Sequence, residues 1–238
     1  MRTRLVLLAA AFVAASCASG SNLPTASEVV ELDPADFTTE IDNPYWPMKV
    51  GSKWSYRETD SEGTEQRVEV TVTNKTKKIA NGVIARVVRD EVTEDGVPVE
   101  VTDDWYAQDS QGNIWYLGEA TTEYEDGEPV STEGSFEAGK DGAQAGVLVP
   151  AEPTVGMKYR QEYYKGEAED RGEIVSIGEQ VEVPAGHYRN VLMTKDTNPL
   201  EPKILEFKFY ARGVGPVLAI SVSGSSDREE LIRYTEGS

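Results

Sequence analysis

Apolar and polar residues alternate with a period of two over much of the chain. Val68, Val70 and Val72 alternate with Glu69, Thr71 and Thr73, and Val97, Val99 and Val101 with Pro98, Glu100 and Thr102. Leu205, Phe207 and Phe209 do the same with Glu206 and Lys208. Successive strand side chains point to opposite faces, so each run predicts a strand with one packed face. Turn residues punctuate the runs at Glu62-Gly63, Asn81-Gly82, Asp95-Gly96, residues 109–112, Asp126-Gly127 and Pro184-Ala185-Gly186. Turns at roughly 8–15-residue spacing, with no sustained helical period after Cys17, predict antiparallel meanders and an all-β fold. Pro98 cannot donate to a ladder, so its strand lies at an edge or carries a bulge.

The pattern also repeats. Pro47, Gly51, Lys53 and Trp54 recur as Pro153, Gly156, Lys158 and Tyr159, with 105 positions between the glycines. Arg67 and Glu69 recur as Arg171 and Glu173, Gly82 as Gly186, and Trp105-Tyr106-Ala107 as Phe209-Tyr210-Ala211, each 104 positions on. Four matches in order at a nearly constant offset predict an internal duplication. Residues 41–133 then form one β repeat and 154–238 a second. A Gly-, Ala- and Pro-rich connector, residues 134–153, joins them within one structural domain. Such a duplicated meander can form a curved sheet, a sandwich or a partly open barrel.

The amino-terminal pattern differs. Arg2 and Arg4 precede an unbroken apolar run of 11 residues, 5–15. A helix rises ~1.5 Å per residue, so this run is too short for a hydrocarbon core of ~30 Å. A basic start, a short apolar run and then small residues predict a cleaved export signal over residues 1–16. Ala14-Ala15-Ser16-Cys17 resembles the lipobox of bacterial lipoproteins. That resemblance implies a diacylglyceryl thioether on Cys17, which becomes the first mature residue. Several acyl chains hold a protein firmly where one holds it marginally, at ~0.8 kcal/mol per buried methylene. Residues 17–40 read as a flexible tether spanning ~25 Å on average, with one helical turn where Asp33 caps Pro34.

Composition narrows the partners. The net charge is −19, and the leader removes two arginines and no acid, leaving the remainder more acidic still. Nucleic acid is excluded as a partner, because phosphate binding needs a dense basic face. Attraction to anionic headgroups is disfavoured as well, so lipid on Cys17 is the expected link to the membrane. One Cys precludes an intrachain disulfide, and one His precludes a multi-histidine metal centre.

A further resemblance rests on Asn43-Pro44-Tyr45-Trp46-Pro47 with Gly51, Trp54 and Tyr56, on Val183-Pro184-Ala185-Gly186, and on Gly213-Val214-Gly215-Pro216-Val217. Together these resemble a group of uncharacterised bacterial secreted and lipobox-bearing proteins over most of residues 41–234. The resemblance implies an all-β envelope protein and no activity.

Within the body, the turn from Asp109 to Gly112 fits a type I turn closed by a glycine bulge. It pairs Ala107 with Trp115 and Tyr106 with Tyr116, and it sets Asp103 opposite Glu119. Trp105, Trp115 and Leu117 share one face, expected as core, and the tyrosines share the other. Two prolines stiffen Tyr45 and Trp46 into an extended segment that plugs one end of the sheet. Facing like charges at Asp103 and Glu119 need a cation or basic side chain between them. No loop matches a calcium pattern, so no metal is expected. His187 lacks a positioned nucleophile and an orienting acid, no Gly-x-Ser-x-Gly elbow exists, and residues 139–146 lack the Gly-Lys-Ser/Thr end of a phosphate loop.

These readings predict a non-catalytic envelope protein, lipid-anchored on the extracytoplasmic side and needing no cofactor. Its expected partner is an apolar or glycan ligand, or another envelope protein. The expected site is a groove between the repeats lined by Tyr45, Trp46, Trp105, Trp115 and Phe209. One rival is a hydrolase of envelope polymer using paired carboxylates, which predicts acids converging in a cleft with pKa values pushed apart. The other is a structural spacer with no ligand.

Overall fold

The computed structural model describes residues 23–238; the expected leader, residues 1–16, and Cys17 lie outside the described residues. The chain is all-β. Strands β1 to β6 span Phe37–Thr38, Lys53–Thr59, Glu65–Lys78, Ile84–Glu94, Val97–Asp109 and Ile114–Glu125. Short strands β7 and β8, Glu128–Ser131 and Phe136–Glu137, precede β9 at Gln144–Val149. Strands β10 to β12 cover Lys158–Arg160, Glu162–Tyr163 and Arg171–Val183. The last four, β13 to β16, are Gly186–Thr197, Leu205–Ala211, Gly215–Ser223 and Arg228–Thr235.

All pairings are antiparallel, in the order β10-β12-β13-β14-β15-β16-β2-β3-β4-β5-β6-β9-β11. The two ends of that path are consecutive pieces of one segment. Lys158–Arg160 pairs with β12, and Glu162–Tyr163 pairs with β9. One stretch of chain thus switches partners at Gln161 and draws the sheet round into a nearly closed barrel with a seam. The seam depends on Gly146, where a Cβ would lie 2.4 Å from the Gln161 carbonyl carbon. Residues 134–153, expected as a connector, therefore supply β8 and the barrel strand β9, because Val147 and Val149 bury their side chains in the core.

Hairpins behave as their sequences dictate. Asp95-Gly96 and Asp126-Gly127 both take left-handed backbone, the type I′ turn that matches strand twist. The ladder shifts register where Pro98 sits, between Val92 and Thr93 of its partner, as a bulge accommodates the missing donor. Gly51 and Gly156 sit in identical turns: each N–H donates across the ladder at 2.8 Å, to the Val72 and Ile174 carbonyls.

Alternation gives the barrel two unlike walls. The outer wall carries ion pairs such as Lys53–Glu69, Arg89–Asp103 and Lys195–Glu173. Inside, one end is filled by residues 41–48. Trp46 packs on Trp54, Tyr106 and Tyr210 with ring centroids 6.3, 5.7 and 6.2 Å away. Asn43 Nδ2 donates to the Gly112 carbonyl at 2.9 Å, and the Pro44 carbonyl accepts from Gly213 N–H at 2.8 Å. These bonds tie the plug to the β5–β6 and β14–β15 hairpins. The opposite end, where β2–β3, β4–β5 and β15–β16 turn, is open. The molecule is a cup.

The amino-terminal stretch lies along this cup. Asp33 caps a 3-10 turn at Pro34–Asp36 by accepting from Ala35 N–H at 2.9 Å, and β1 pairs with the end of β5. The Arg160 guanidinium, buried at the seam, donates to the carbonyls of Ala145, Ala26 and Glu28.

Candidate functional site

The inner wall changes character from plug to mouth. Toward the plug it presents Trp54, Tyr56, Tyr106, Tyr116 and Tyr210; toward the mouth the same strands present acids. On β14 the inward positions run Tyr210, Lys208, Glu206, and on β13 they run Thr194, Asp196, with Thr194 opposite Lys208 and Asp196 opposite Glu206. Lys208 and Glu206 belong to the alternation visible in the sequence, but it is their face that is enclosed.

At the mouth, Lys208 Nζ lies 3.1 Å from Glu206 Oε2 and 3.6 Å from Asp196 Oδ2. Glu206 and Asp196 hold the ammonium well above its ordinary pKa against the cost of burial. Gln161, the residue at which the seam changes partners, donates to Asp196 Oδ2 at 3.1 Å. A pocket of about 270 Å³ opens here, lined by Gln161, Asp170, Asp196, Glu206, Lys208 and Asp227 with hydroxyl and amide groups beside them. Asp196 Oδ1, Thr194 Oγ1 and Tyr159 Oη, all on this stretch of inner wall, are buried without a hydrogen-bond partner. Tyr159 lies across Gly172, where a Cβ would come within 2.6 Å of its ring. Gly172 is in turn the partner of Asp196 on β13.

A second pocket at the same end, about 480 Å³, is lined by Glu58, Glu100, Glu123 and Glu125 with Gln66, Tyr124 and three valines. Burial raises the Glu58 pKa, and Asp227, Glu206 and Glu100 add to it, so the two pockets share one electrostatic field. Below them the Tyr116 hydroxyl lies 2.8 Å from Asp104 Oδ1 and 2.7 Å from Glu119 Oε2. The hydroxyl donates toward both carboxyl groups and so ties β5 to β6 across the inner wall. Burial, with Asp90 and Glu119 nearby, pushes Asp104 well above the usual carboxylate range. Burial raises Asp90 likewise, and its Oδ1 is unpartnered.

No family model matches the chain, and no curated protein matches it. A solved structure, described as a "putative lipoprotein" from Parabacteroides distasonis, is similar over 80% of this chain and 98% of its own. The two are 13% identical, with a TM-score of 0.45.

The five aromatics expected to line a groove do not converge on one. Trp46 lies inside, in the plug. Tyr45 is buried with it, its ring beneath Arg212 at 4.4 Å. Trp105 and Trp115 face the outer wall, since Tyr106 and Tyr116 occupy the inner one and stack at 5.1 Å. Lys77 covers Trp105 at 3.4 Å, and Phe37 packs edge-on against Trp115 at 6.0 Å. Phe209 is buried on the outer face of β14, opposite in direction to Tyr210. The tryptophan face of the β5–β6 hairpin is the one expected as core, but it is the tyrosine face that points into the barrel interior.

The expected hairpin pairs form, Tyr106 with Tyr116 and Ala107 with Trp115. Glu119 faces Asp104 instead of Asp103, because a bulge at residues 117–118 advances β6 by one position. Gly118 makes that bulge possible: a Cβ there would sit 2.2 Å from the Phe136 carbonyl oxygen of β8. Asp103, set free, forms a bidentate pair with Arg89 at 2.8 and 2.9 Å. His187 is exposed at the β12–β13 hairpin and lies 3.3 Å from Gln180 Oε1. Among the described residues no three His, Cys, Asp or Glu side chains are placed to hold a metal ion.

Proposed function

We propose that this is an exported, lipid-anchored cell-envelope protein whose cup mouth holds a polar ligand without turning it over. The observation that carries the binding reading is the mouth pocket, where Asp196, Lys208 and Gln161 are mutually oriented while Asp196 Oδ1, buried in its lining, stays unpartnered. A buried polar group without a partner costs ~1–3 kcal/mol, a cost that a ligand bringing the missing bonds offsets. The anchoring reading rests on Cys17 following the apolar leader and small residues. The test is to isolate the protein from its own host. The native chain is expected in the membrane fraction with a co-purifying small mass. Cys17→Ser is expected in the soluble fraction, and Asp196→Asn without the added mass. A native chain that fractionates as soluble would sink the anchor, and a clean apo mass would sink the ligand.

One observation favours a second reading, the acid-based hydrolase. Glu162 and Asp170 share a hydrogen-bonded site in which burial and its neighbour push Glu162 far up, while Lys208 restrains the rise of Asp170. Two neighbouring carboxyls whose hold on a proton is pushed apart are what acid–base chemistry uses. Turnover of wall glycans abolished by both Glu162→Gln and Asp170→Asn would establish it, and turnover indifferent to either would remove it.

A further inference from the structure

Resting on the mouth-binding reading, we infer that the ligand is an organic cation with two or more primary ammonium groups on a flexible chain, the chemistry of a polyamine. The lining sets the sign. Asp170, Asp196, Glu201, Glu206 and Asp227 surround the first pocket with Lys208 as their one base, and the adjoining pocket has four glutamates and no base. Nothing in either pocket neutralises the remaining carboxyls, and a cationic ligand does.

The shape of the cation follows from the spread of the acids. They are not gathered tightly enough for a metal ion, as no three are placed around one point among the described residues. They run instead from Asp170 and Asp196 past Glu206 and Asp227 to Glu58 and Glu100, which calls for separated charges on one chain. Lys208 already displays how this wall receives an alkylammonium: its Nζ sits between Glu206 and Asp196, 3.1 and 3.6 Å away. The independent observation is the unpartnered oxygen beside it. Asp196 Oδ1 has no hydrogen-bond partner, on a residue that lines the pocket and is only 7% exposed. A primary ammonium carries three N–H donors, and Asp196 Oδ1 can accept one while neighbouring carboxylates accept the others. A neutral polyol would meet that oxygen but leave the surrounding carboxylates uncompensated.

Titration calorimetry of the full-length chain at about 0.15 M salt tests this, where exposed charges are screened beyond ~8 Å. The probes are spermidine, 1,4-diaminobutane, 1,4-butanediol as the uncharged isostere, and glucose as a neutral polyol. Spermidine is expected to bind most tightly and butanediol not to bind. Asp196→Asn, shown to be folded by its melting curve, should weaken spermidine by roughly tenfold or more, as charge-assisted bonds are lost. Lys208→Met should strengthen it several-fold, because the ligand then takes the place of the internal ammonium. Glu152→Gln, a surface acid at the plug end, should leave it unchanged. Equal losses in Asp196→Asn and Glu152→Gln would mark mere counter-ion attraction and overturn the inference. Glucose binding that disappears in Asp196→Asn, with spermidine inert, would overturn the amine class while leaving the mouth as a binding site. No binding by any probe, with a clean apo mass from the host, would overturn both.

Discussion

At the scale of single residues, the interior acids are the main departure from an ordinary β protein, and they make stability depend on pH. Burial, reinforced by Glu58, pushes the Glu229 carboxyl up to about 7 from an ordinary 4.5. A carboxyl that holds its proton more tightly when folded stabilises below its unfolded pKa, and that contribution disappears as pH rises through the folded value. The protein is therefore expected to melt at a higher temperature at pH 5.5 than at pH 8. Glu229 is only half-buried, so solvent screens the effect to about 1 kcal/mol. Glu229→Gln should raise the melting temperature at pH 8 by about 2–4 °C and by less than half as much at pH 5.5. A native protein equally stable at both values would refute this account of the interior. These residues were hard to find in the sequence for a physical reason. Glu206 and Lys208 alternate with apolar neighbours, Asp196 sits in a polar run between Lys195 and Thr197, and alternation separates two faces without saying which is enclosed. Phe207 and Phe209 claimed the interior on hydrophobicity; closure of the barrel gave it to their neighbours.

At the scale of elements, local chemistry was legible and register was legible up to the bulges. The Asp-Gly hairpins, the Asp33 cap, the Pro98 bulge and the Asp109–Gly112 turn all follow from residues within a few positions of one another. Glu119 slipped by one position because Gly118 is glycine for a partner distant in sequence, the backbone of β8. Gly146 is the same case at the seam. Gly146→Ala would press a methyl group into Gln161, displacing β9 from the switching segment, whereas a methyl group at Gly178 would meet nothing within 4 Å. Amide exchange should accelerate in Gln144–Val149 and at residues 158–163 for Gly146→Ala, with a fall in stability of roughly 1–3 kcal/mol from overpacking. Gly178→Ala should change neither. Unaltered exchange in Gly146→Ala would show that the seam does not depend on this approach.

At the scale of the whole molecule, the all-β class and a partly open barrel were within reach of pattern alone, and the cup was not. Its shape depends on one segment pairing at both ends of the sheet path, a long-range event without a local signature. The amino-terminal stretch shows the same limit: polar and aperiodic, it reads as a tether, yet Arg160 gathers two of its carbonyls at the seam. Arg160→Met should free it, so that a glutamate-specific protease cuts after Glu28 or Glu31 several-fold faster while the barrel stays intact. Unchanged cleavage would mean that other contacts hold it.

This clasp bears on where the mouth can travel. Pro24 accepts the Arg160 N–H directly, next to Gln161 on the rim. Pro24 lies seven positions after Cys17, a reach of about 25 Å at full extension. With Cys17 acylated as proposed, the rim is on a short leash fastened at its own edge. The cup then samples a thin shell above the headgroups instead of the depth of the envelope, and the molecules it meets are those that collect at the bilayer surface.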